Sequence, residues 1–494
     1  MLKIEIIDPI ILTSLKATFP KANAAENGLR KYVALLEDML NESELRGITS
    51  FNQKFGTYSL SLSALNKASA TLTANKKEIS IYTWLKDNAL SLHDVKILGG
   101  KFGLYQGLSI IKQSDFIKIE EVDDRHDPYT AFNKLHPNFS QLTQCQIDSD
   151  YDSCSIDIAS LDNYVHNLCQ LKKAHKLSNQ DRTAYVQASR ISAAAKYKNK
   201  IFYQKKKLSL FGRTYYEGLS VQNVRKDLRA AMLGNCFEYD MCSSVVAWKL
   251  GYGQACIDEN KKLNGKSVQT AFPMCYQYWK DKSVLINAIK AHVFINRDLD
   301  DIDSDMDDIY SHYDDGEQTA LIKSAMTALN FGARLSSFEF TNKKNDSQKA
   351  AIAEILKDNE HECDRFLTFP DVKAFVNEQK LLNKTIMKIE KQVQPDLSNL
   401  PFLVNTRNTL QQQKALAYLY QSSETNVMNI VRANAKLQCL TVLANIHDAI
   451  IFKSKLNVSV LKKIHADIVQ QTGNRFWLLK EKQLHRVLRQ KQTD

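Results

Sequence analysis

Tyr239-Asp240-Met241-Cys242-Ser243-Ser244, Lys323-Ser-Ala-Met-Thr-Ala-Leu-Asn-Phe-Gly332 and Ile446-His447-Asp448-Ala-Ile-Ile-Phe452 follow one another along this chain, and their reading decides the rest. The first and last each set one carboxylate among apolar neighbours, as at the end of a buried strand. The run Leu440 to Phe452 has too many β-branched residues around His447-Asp448 for a helix, and predicts a strand, a tight turn and a strand. The middle stretch has a helical period. With Lys323 at zero and steps of about 100°, Thr327, Asn330, Phe331 and Arg334 fall within roughly 80° of it, while Leu321, Ala325, Ala328 and Gly332 lie on the far side.

Two aspartates from distant parts of a chain can serve two divalent ions, because Mg2+ takes few protein ligands and keeps water and phosphate oxygens for the rest. Such ions lower the pKa of an attacking hydroxyl and neutralise departing pyrophosphate, which is the chemistry of nucleotidyl transfer. Mn2+ can substitute. A helix face carrying Lys323 and Arg334 can hold a triphosphate while Phe331 packs against base or sugar. Each stretch also has a plainer reading. His-Asp recurs at His93-Asp94 and His126-Asp127, so the dipeptide by itself says nothing, and the middle stretch alone reads as an ordinary amphipathic helix.

The 494 residues exceed one ordinary domain, and a hydrophobic fraction of 44% is ample to bury two or three cores. Lys plus Arg is 66 against 55 for Asp plus Glu, a net charge of +11 that suits a polyanionic partner or simple solubility. The distribution is more telling. From Lys172 to Arg213 there are twelve basic residues against the single acid Asp181, interleaved with Tyr185, Tyr197, Phe202, Tyr203 and Phe211. That stripe, with Lys205, Lys206 and Lys207 at its centre, predicts phosphate contacts beside stacking or packing aromatics; the alternative is a solvated helix face. Asp298 to Glu317 is the opposite, and reads as a solvated acidic insertion. It lacks the sixth-position glycine and final glutamate of a calcium loop.

Nine scattered cysteines without a Cys-x-x-Cys pair fit a reducing cytosol. No apolar run of about 18 residues occurs, so a cytoplasmic protein without a membrane span is expected. Gly99-Gly-Lys-Phe-Gly103 lacks the Ser or Thr of a phosphate loop and reads as a turn. The first 150 or so residues predict a mixed region, with an opening strand and a helix near Ala24 to Leu40. Residues 345 to 440 predict helices broken at Pro370 and near 394 to 401, and the tail beyond Gly473 a basic helix.

The three stretches resemble motifs A, B and C of the single-subunit RNA polymerases of phages and mitochondria and of the related family A DNA polymerases. Lys323-x7-Phe331-Gly332 matches the family's lysine, aromatic and glycine, and Ala325-Met-Thr327 is similar to the RNA polymerase branch. Phe211-Gly-Arg213-Thr-Tyr215 resembles the Gly-Arg-x-Tyr signature of that branch. Tyr420-Gln421-Ser-Ser-Glu-Thr-Asn426 and His447-Asp-Ala-Ile-Ile-Phe452 are similar to the DNA polymerase branch.

The resemblance covers about residues 172 to 494. It implies an α+β right-hand polymerase with an accessory domain at 1–170, a basic thumb-like region at 171–230, a palm at 231–255 and 438–494, and fingers at 256–437. It implies Asp240 and Asp448 as ligands of two Mg2+ ions, Lys323 as phosphate ligand and acid to pyrophosphate, and His447 as support at the primer end or metal. Phe331 becomes the sugar-side gate, with Thr327, Asn330, Arg334 and Ser244 at the nucleotide, and Arg213, Tyr215 and Gln421 on nucleic acid.

The implied function is template-directed synthesis from NTPs or dNTPs, RNA polymerase or primase-like ahead of a replicase of plasmid or phage type. A non-catalytic nucleic-acid-binding protein and a metal phosphohydrolase remain as other classes. Three positions depart from the family. Thr319 stands for the arginine four residues before the lysine, so Arg334 or Lys249 would take over triphosphate charge. Val245 replaces the glutamate or glycine after motif A, and Phe331 replaces the RNA polymerase tyrosine.

Overall fold

In the computed structural model the β-branched run forms the expected hairpin: strand Val442–Ile446 turns back at His447 and Asp448 into strand Ala449–Phe452. The second strand is buried along its whole length, and its Ile450 and Ile451 have no exposed surface. Each such side chain contributes roughly 1.5–3 kcal/mol by leaving water. A strand covered on both faces needs a continuous apolar run, which is what the sequence provides. Strand Cys236–Met241 pairs antiparallel on its other side, with Phe237 opposite Phe452 and Asp240 opposite Ala449.

The chain is described apart from residues 1, 7–8, 46–57, 62–70, 75–76, 82, 85–94, 101–102, 109–116, 122–126, 175, 177, 295–312, 334–338, 342–346, 357–358 and 489–494. Two compact units result, one of Met1–Lys207, Tyr215–Cys236 and Gln483–Asp494, the other of Leu208–Thr214 and Phe237–Lys482.

In the first unit, strand Leu2–Ile6 pairs antiparallel with Ile117–Glu121, followed by helices Pro9–Thr18 and Ala22–Leu45. The expected opening strand and helix are present. Strands Val95–Gly100 and Gly103–Leu108 pair antiparallel with Gly100 opposite Gly103, and Lys101 and Phe102, where a turn is expected, lie outside the described residues. Most of the basic stripe falls on helix Asn179–Tyr197, strand Ile201–Leu208 and the end of helix Ile158–Lys173, while Phe211 and Arg213 belong to the second unit. Most of its aromatics are not free to stack on a ligand. Tyr185 and Phe202 are buried, Tyr203 packs on Phe139 at 4.8 Å, and only Tyr197 is substantially exposed, at 41%. An amphipathic helix and a strand need apolar residues on one face, and those aromatics supply it.

In the second unit the sheet runs in the order Val442–Ile446, Ala449–Phe452, Cys236–Met241, Leu479–Leu484. The last strand corrects the expected basic helix. Helix Val458–Thr472 ends at Gly473, whose φ of +67° suits a residue without Cβ. Phe476 and Trp477 then sink into the core, the Trp279 indole N–H donates to the Phe476 carbonyl over 2.9 Å, and Cys242 N–H donates to the Leu478 carbonyl over 2.8 Å. Pinned in this way, the tail continues extended.

Helices Ser244–Gly251, Pro273–Val293, Asp315–Asn330, Pro370–Val393 and Gln412–Leu437 pack on one apolar core. Pro370 starts its helix at the first turn, where a missing N–H costs nothing. The fold is therefore mixed helix and sheet. The nine cysteines are free. Among the described residues no helix is long and apolar enough to cross a membrane. The acidic block from Asp298 lies outside the described residues up to 312; Asp314 and Glu317 form the capping box that opens helix Asp315–Asn330.

Candidate active site

The pairing of Cys236–Met241 with Ala449–Phe452 continues one step past the strand end, where Met241 N–H donates to the Asp448 carbonyl over 3.0 Å. Asp240 and Asp448 thus occupy adjacent positions on neighbouring segments. Asp240 is exposed, and Asp448 and His447 are half-buried. Ser243 turns the chain with φ +43°, and helix Ser244–Gly251 departs from there into the core.

Ser244, expected at the nucleotide, instead serves Asp448. Its hydroxyl lies 3.3 Å from Asp448 Oδ2 and 2.8 Å from the Tyr420 hydroxyl. Tyr420 in turn meets the Glu424 carboxyl one helical turn along, and Arg213 donates to the same carboxyl over 2.6 Å with its guanidinium 5.5 Å from the Tyr420 ring centre. Glu424 has no exposed surface. Burial pushes its carboxyl above the usual range although the Arg213 charge pulls the other way, and burial likewise drives the Tyr420 phenol well up. Arg213 is therefore not free for nucleic acid as it stands. An i, i+4 pair of Tyr and Glu on the otherwise apolar side of helix Gln412–Leu437 is the sequence signal for this group.

Helix Asp315–Asn330 ends one residue before Phe331, and Gly332 follows with φ +85°. The helical projection holds for Lys323 and Thr327, both exposed, but not beyond. Phe331 lies past the helix end, 51% exposed, its ring 6.0 Å from that of Tyr420 in an edge contact. Asn330 is buried at 7% and lines the cavity described below. Its carbonyl accepts from Lys249 Nζ over 3.0 Å, and its Oδ1 accepts from Gln379 Nε2 over 2.9 Å. Lys249 also donates to Gln379 Oε1. Burial lowers the Lys249 ammonium to about 8. With 3% of its surface exposed and its ammonium donating to these two acceptors, Lys249 holds a helix end. Arg334 lies outside the described residues.

A cavity of about 500 Å³ opens beside this helix end, lined by Val245, Trp248, Lys249, Phe331, Gln413 and Tyr420 among others. Neither aspartate lines it. Tyr420 connects the two, since it faces the cavity and reaches Asp448 through Ser244. Gln421, beside Tyr420, is half-buried.

In the other unit, Lys205 pairs with Glu217 at 3.0 Å and Lys206 lies 3.7 Å from Asp152, while Lys207 is exposed. Tyr215 is half-buried there.

Carboxylate oxygens such as those of Asp240 and Asp448 fit a hard divalent cation. Among the described residues no cluster of three or more His, Cys, Asp or Glu side chains is placed to hold a metal, so such ions would draw further ligands from water and substrate.

No protein-family profile matches this chain, and no curated protein matches it. Among solved structures it is similar to the POL domain of Pol1 from M. smegmatis, solved in complex with DNA primer-template and dNTP. That likeness has 11% identity over 68% of this chain and 67% of that one, with a TM-score of 0.35. A likeness this loose identifies neither fold nor function.

Proposed function

We propose that the chain is a template-directed nucleic-acid polymerase, of RNA polymerase or primase-like activity ahead of a plasmid- or phage-type DNA replicase. The observation that carries this reading is the backbone hydrogen bond from Met241 to Asp448, which sets the backbones of two aspartates from opposite ends of the second unit one register step apart. Asp240 and Asp448 would hold two Mg2+ ions, which Mn2+ can replace. When bound, such ions activate the attacking hydroxyl and offset the charge of departing pyrophosphate.

The protein's own groups do the positioning. Lys323, on the exposed face of its helix, offers a cation and a proton to a polyphosphate. Phe331 and Val245 give the cavity an apolar wall for base and sugar, Thr327 lies one turn from Lys323, and His447 flanks the Asp448 carboxylate. In this reading residues 1–170 are an accessory domain, 171–230 a basic thumb-like region, 231–255 with 438–494 the palm and 256–437 the fingers. Lys205, Lys206, Lys207, Tyr215, Arg213 and Gln421 would contact nucleic acid, Arg213 after release from Glu424.

A primer-extension panel tests the reading, crossing DNA and RNA templates with rNTPs and dNTPs in Mg2+ or Mn2+. Incorporation in at least one combination supports it. Template binding without incorporation in any combination selects the non-catalytic alternative.

A further inference from the structure

Four side chains form an unbroken line from the interior to Asp448. Glu424 Oε2 meets the Tyr420 hydroxyl, Tyr420 Oη lies 2.8 Å from Ser244 Oγ, and Ser244 Oγ lies 3.3 Å from Asp448 Oδ2. Three oxygen-to-oxygen contacts join these groups, and each needs one proton to be a hydrogen bond. The two hydroxyls supply two. With both carboxyls ionised one of the three contacts goes without. A third proton, on Glu424, completes the line in a single direction, with Glu424 donating to Tyr420, Tyr420 to Ser244, and Ser244 to Asp448.

The two ends of the line differ in their access to water. Asp448 is half-buried, whereas Glu424 has no exposed surface and its second oxygen, Oε1, has no hydrogen-bond partner. A carboxylate with an empty buried oxygen is costlier than a neutral acid in the same place. The charged and titratable groups facing Glu424 are Arg213 from the segment Leu208–Thr214, Tyr420 from its own helix, and Asp448 across Ser244. With Glu424 neutral, the charges of Arg213 and Asp448 cancel across the cluster. With Glu424 ionised, Arg213 balances Glu424 in the interior and the charge of half-buried Asp448 is left unbalanced within the cluster.

We propose that Glu424 is held as a neutral carboxylic acid whose proton sets the direction of the Tyr420 and Ser244 hydroxyls, so that Ser244 donates to Asp448 Oδ2. Glu424 is then a positioning residue for Asp448, acting through two hydroxyls. Its consequence for catalysis rests on the polymerase reading above; its protonation does not.

Infrared difference spectroscopy of the full chain at neutral pH, without added metal, tests this directly. The wild-type minus Glu424→Gln spectrum should contain a carboxylic-acid C=O band that shifts when the protein is labelled with 13C-glutamate. Tyr420→Phe, which removes only the hydroxyl, should move the same band, and serves as the assignment if Glu424→Gln does not fold. Absence of the band, or a band that neither variant affects, overturns the proposal. On activity, the amide introduced by Glu424→Gln can donate to Tyr420 as the neutral acid does, so this variant should retain at least about tenfold more incorporation than Glu424→Ala. Equal loss in both would mean that the charge is what matters, and would also overturn it. A wild-type protein with the band but no incorporation under any condition would leave the proton assignment standing and remove the polymerase reading.

Discussion

Asp240 and Asp448 stand on either side of one backbone hydrogen bond, the 3.0 Å contact from Met241 N–H to the Asp448 carbonyl, although more than two hundred residues of chain separate them. Sheet pairing fixes this proximity, since the register that sets Asp240 opposite Ala449 leaves no slack between strand end and turn. A slip of one residue would send Asp240 to the other face.

The Lys323 ammonium sits on the exposed face of a helix whose opposite side is core. Lys323→Ala should lower turnover by about a hundredfold or more while apparent nucleotide affinity changes little, because a cation aimed at developing charge acts mainly in the transition state. Single-turnover incorporation across nucleotide concentrations separates the two. A weaker affinity with turnover preserved would make it a simple binding lysine.

Sugar choice should be loose. Val245 and Phe331 both line the cavity and neither carries a hydrogen-bonding side-chain group. Such a wall separates ribose from deoxyribose by roughly 1–3 kcal/mol, or about ten- to two-hundredfold in kcat/KM. Phe331→Tyr should shift preference toward rNTPs. Competition assays showing selectivity above about 10⁴ for either sugar in the unmodified chain would place the gate elsewhere.

Of the three consecutive lysines, only Lys207 lacks an acid within ion-pair distance among the described residues. Lys207→Ala should flatten the salt dependence of template binding by about one unit in log-log slope. Neutralising all three should flatten it by less than about three units, since Lys205 and Lys206 exchange one anionic partner for another. An unchanged slope in the triple variant would make the strand a solvated face.

Lys249 should be visible in stability against pH. Its ammonium is lowered to about 8 from an ordinary 10.5, so between those values the unfolded chain binds the extra proton and stability rises with pH, by roughly 3 kcal/mol over the window. Lys249→Met removes that rise. Denaturant melts of both proteins from pH 7 to 10 should therefore diverge in slope; parallel curves would mean the ammonium is not depressed.

Much of the local structure around the candidate site is legible in the sequence because local pattern and tertiary structure agree there. The β-branched residues around His447-Asp448 demand a hairpin, and the apolar run after Asp448 demands burial on both faces. Lys323 and Thr327 obey the helical period. Carried further, that period misleads: the helix stops before Gly332, so Phe331 lies past its end and Asn330 turns inward to Lys249 and Gln379. The tail beyond Gly473 has helix-forming lysines, yet buried Phe476 and Trp477 and pairing on the edge of the sheet make it a strand. Glu424 sits in a recognisable helix, but its place in a buried line to Asp448 depends on contacts across 211 positions to Arg213 and across 176 from Tyr420 to Ser244, which no local pattern encodes.

The most direct measurement is incorporation by purified wild type, Asp240→Asn and Asp448→Asn on a primed and an unprimed template, with template binding measured in parallel. Each substitution removes a carboxylate charge without removing a binding surface, so both variants should lose incorporation by at least about 10³-fold while binding template within a few-fold of wild type. Wild-type incorporation matched by either variant would contradict the assignment of these two aspartates to the metal site.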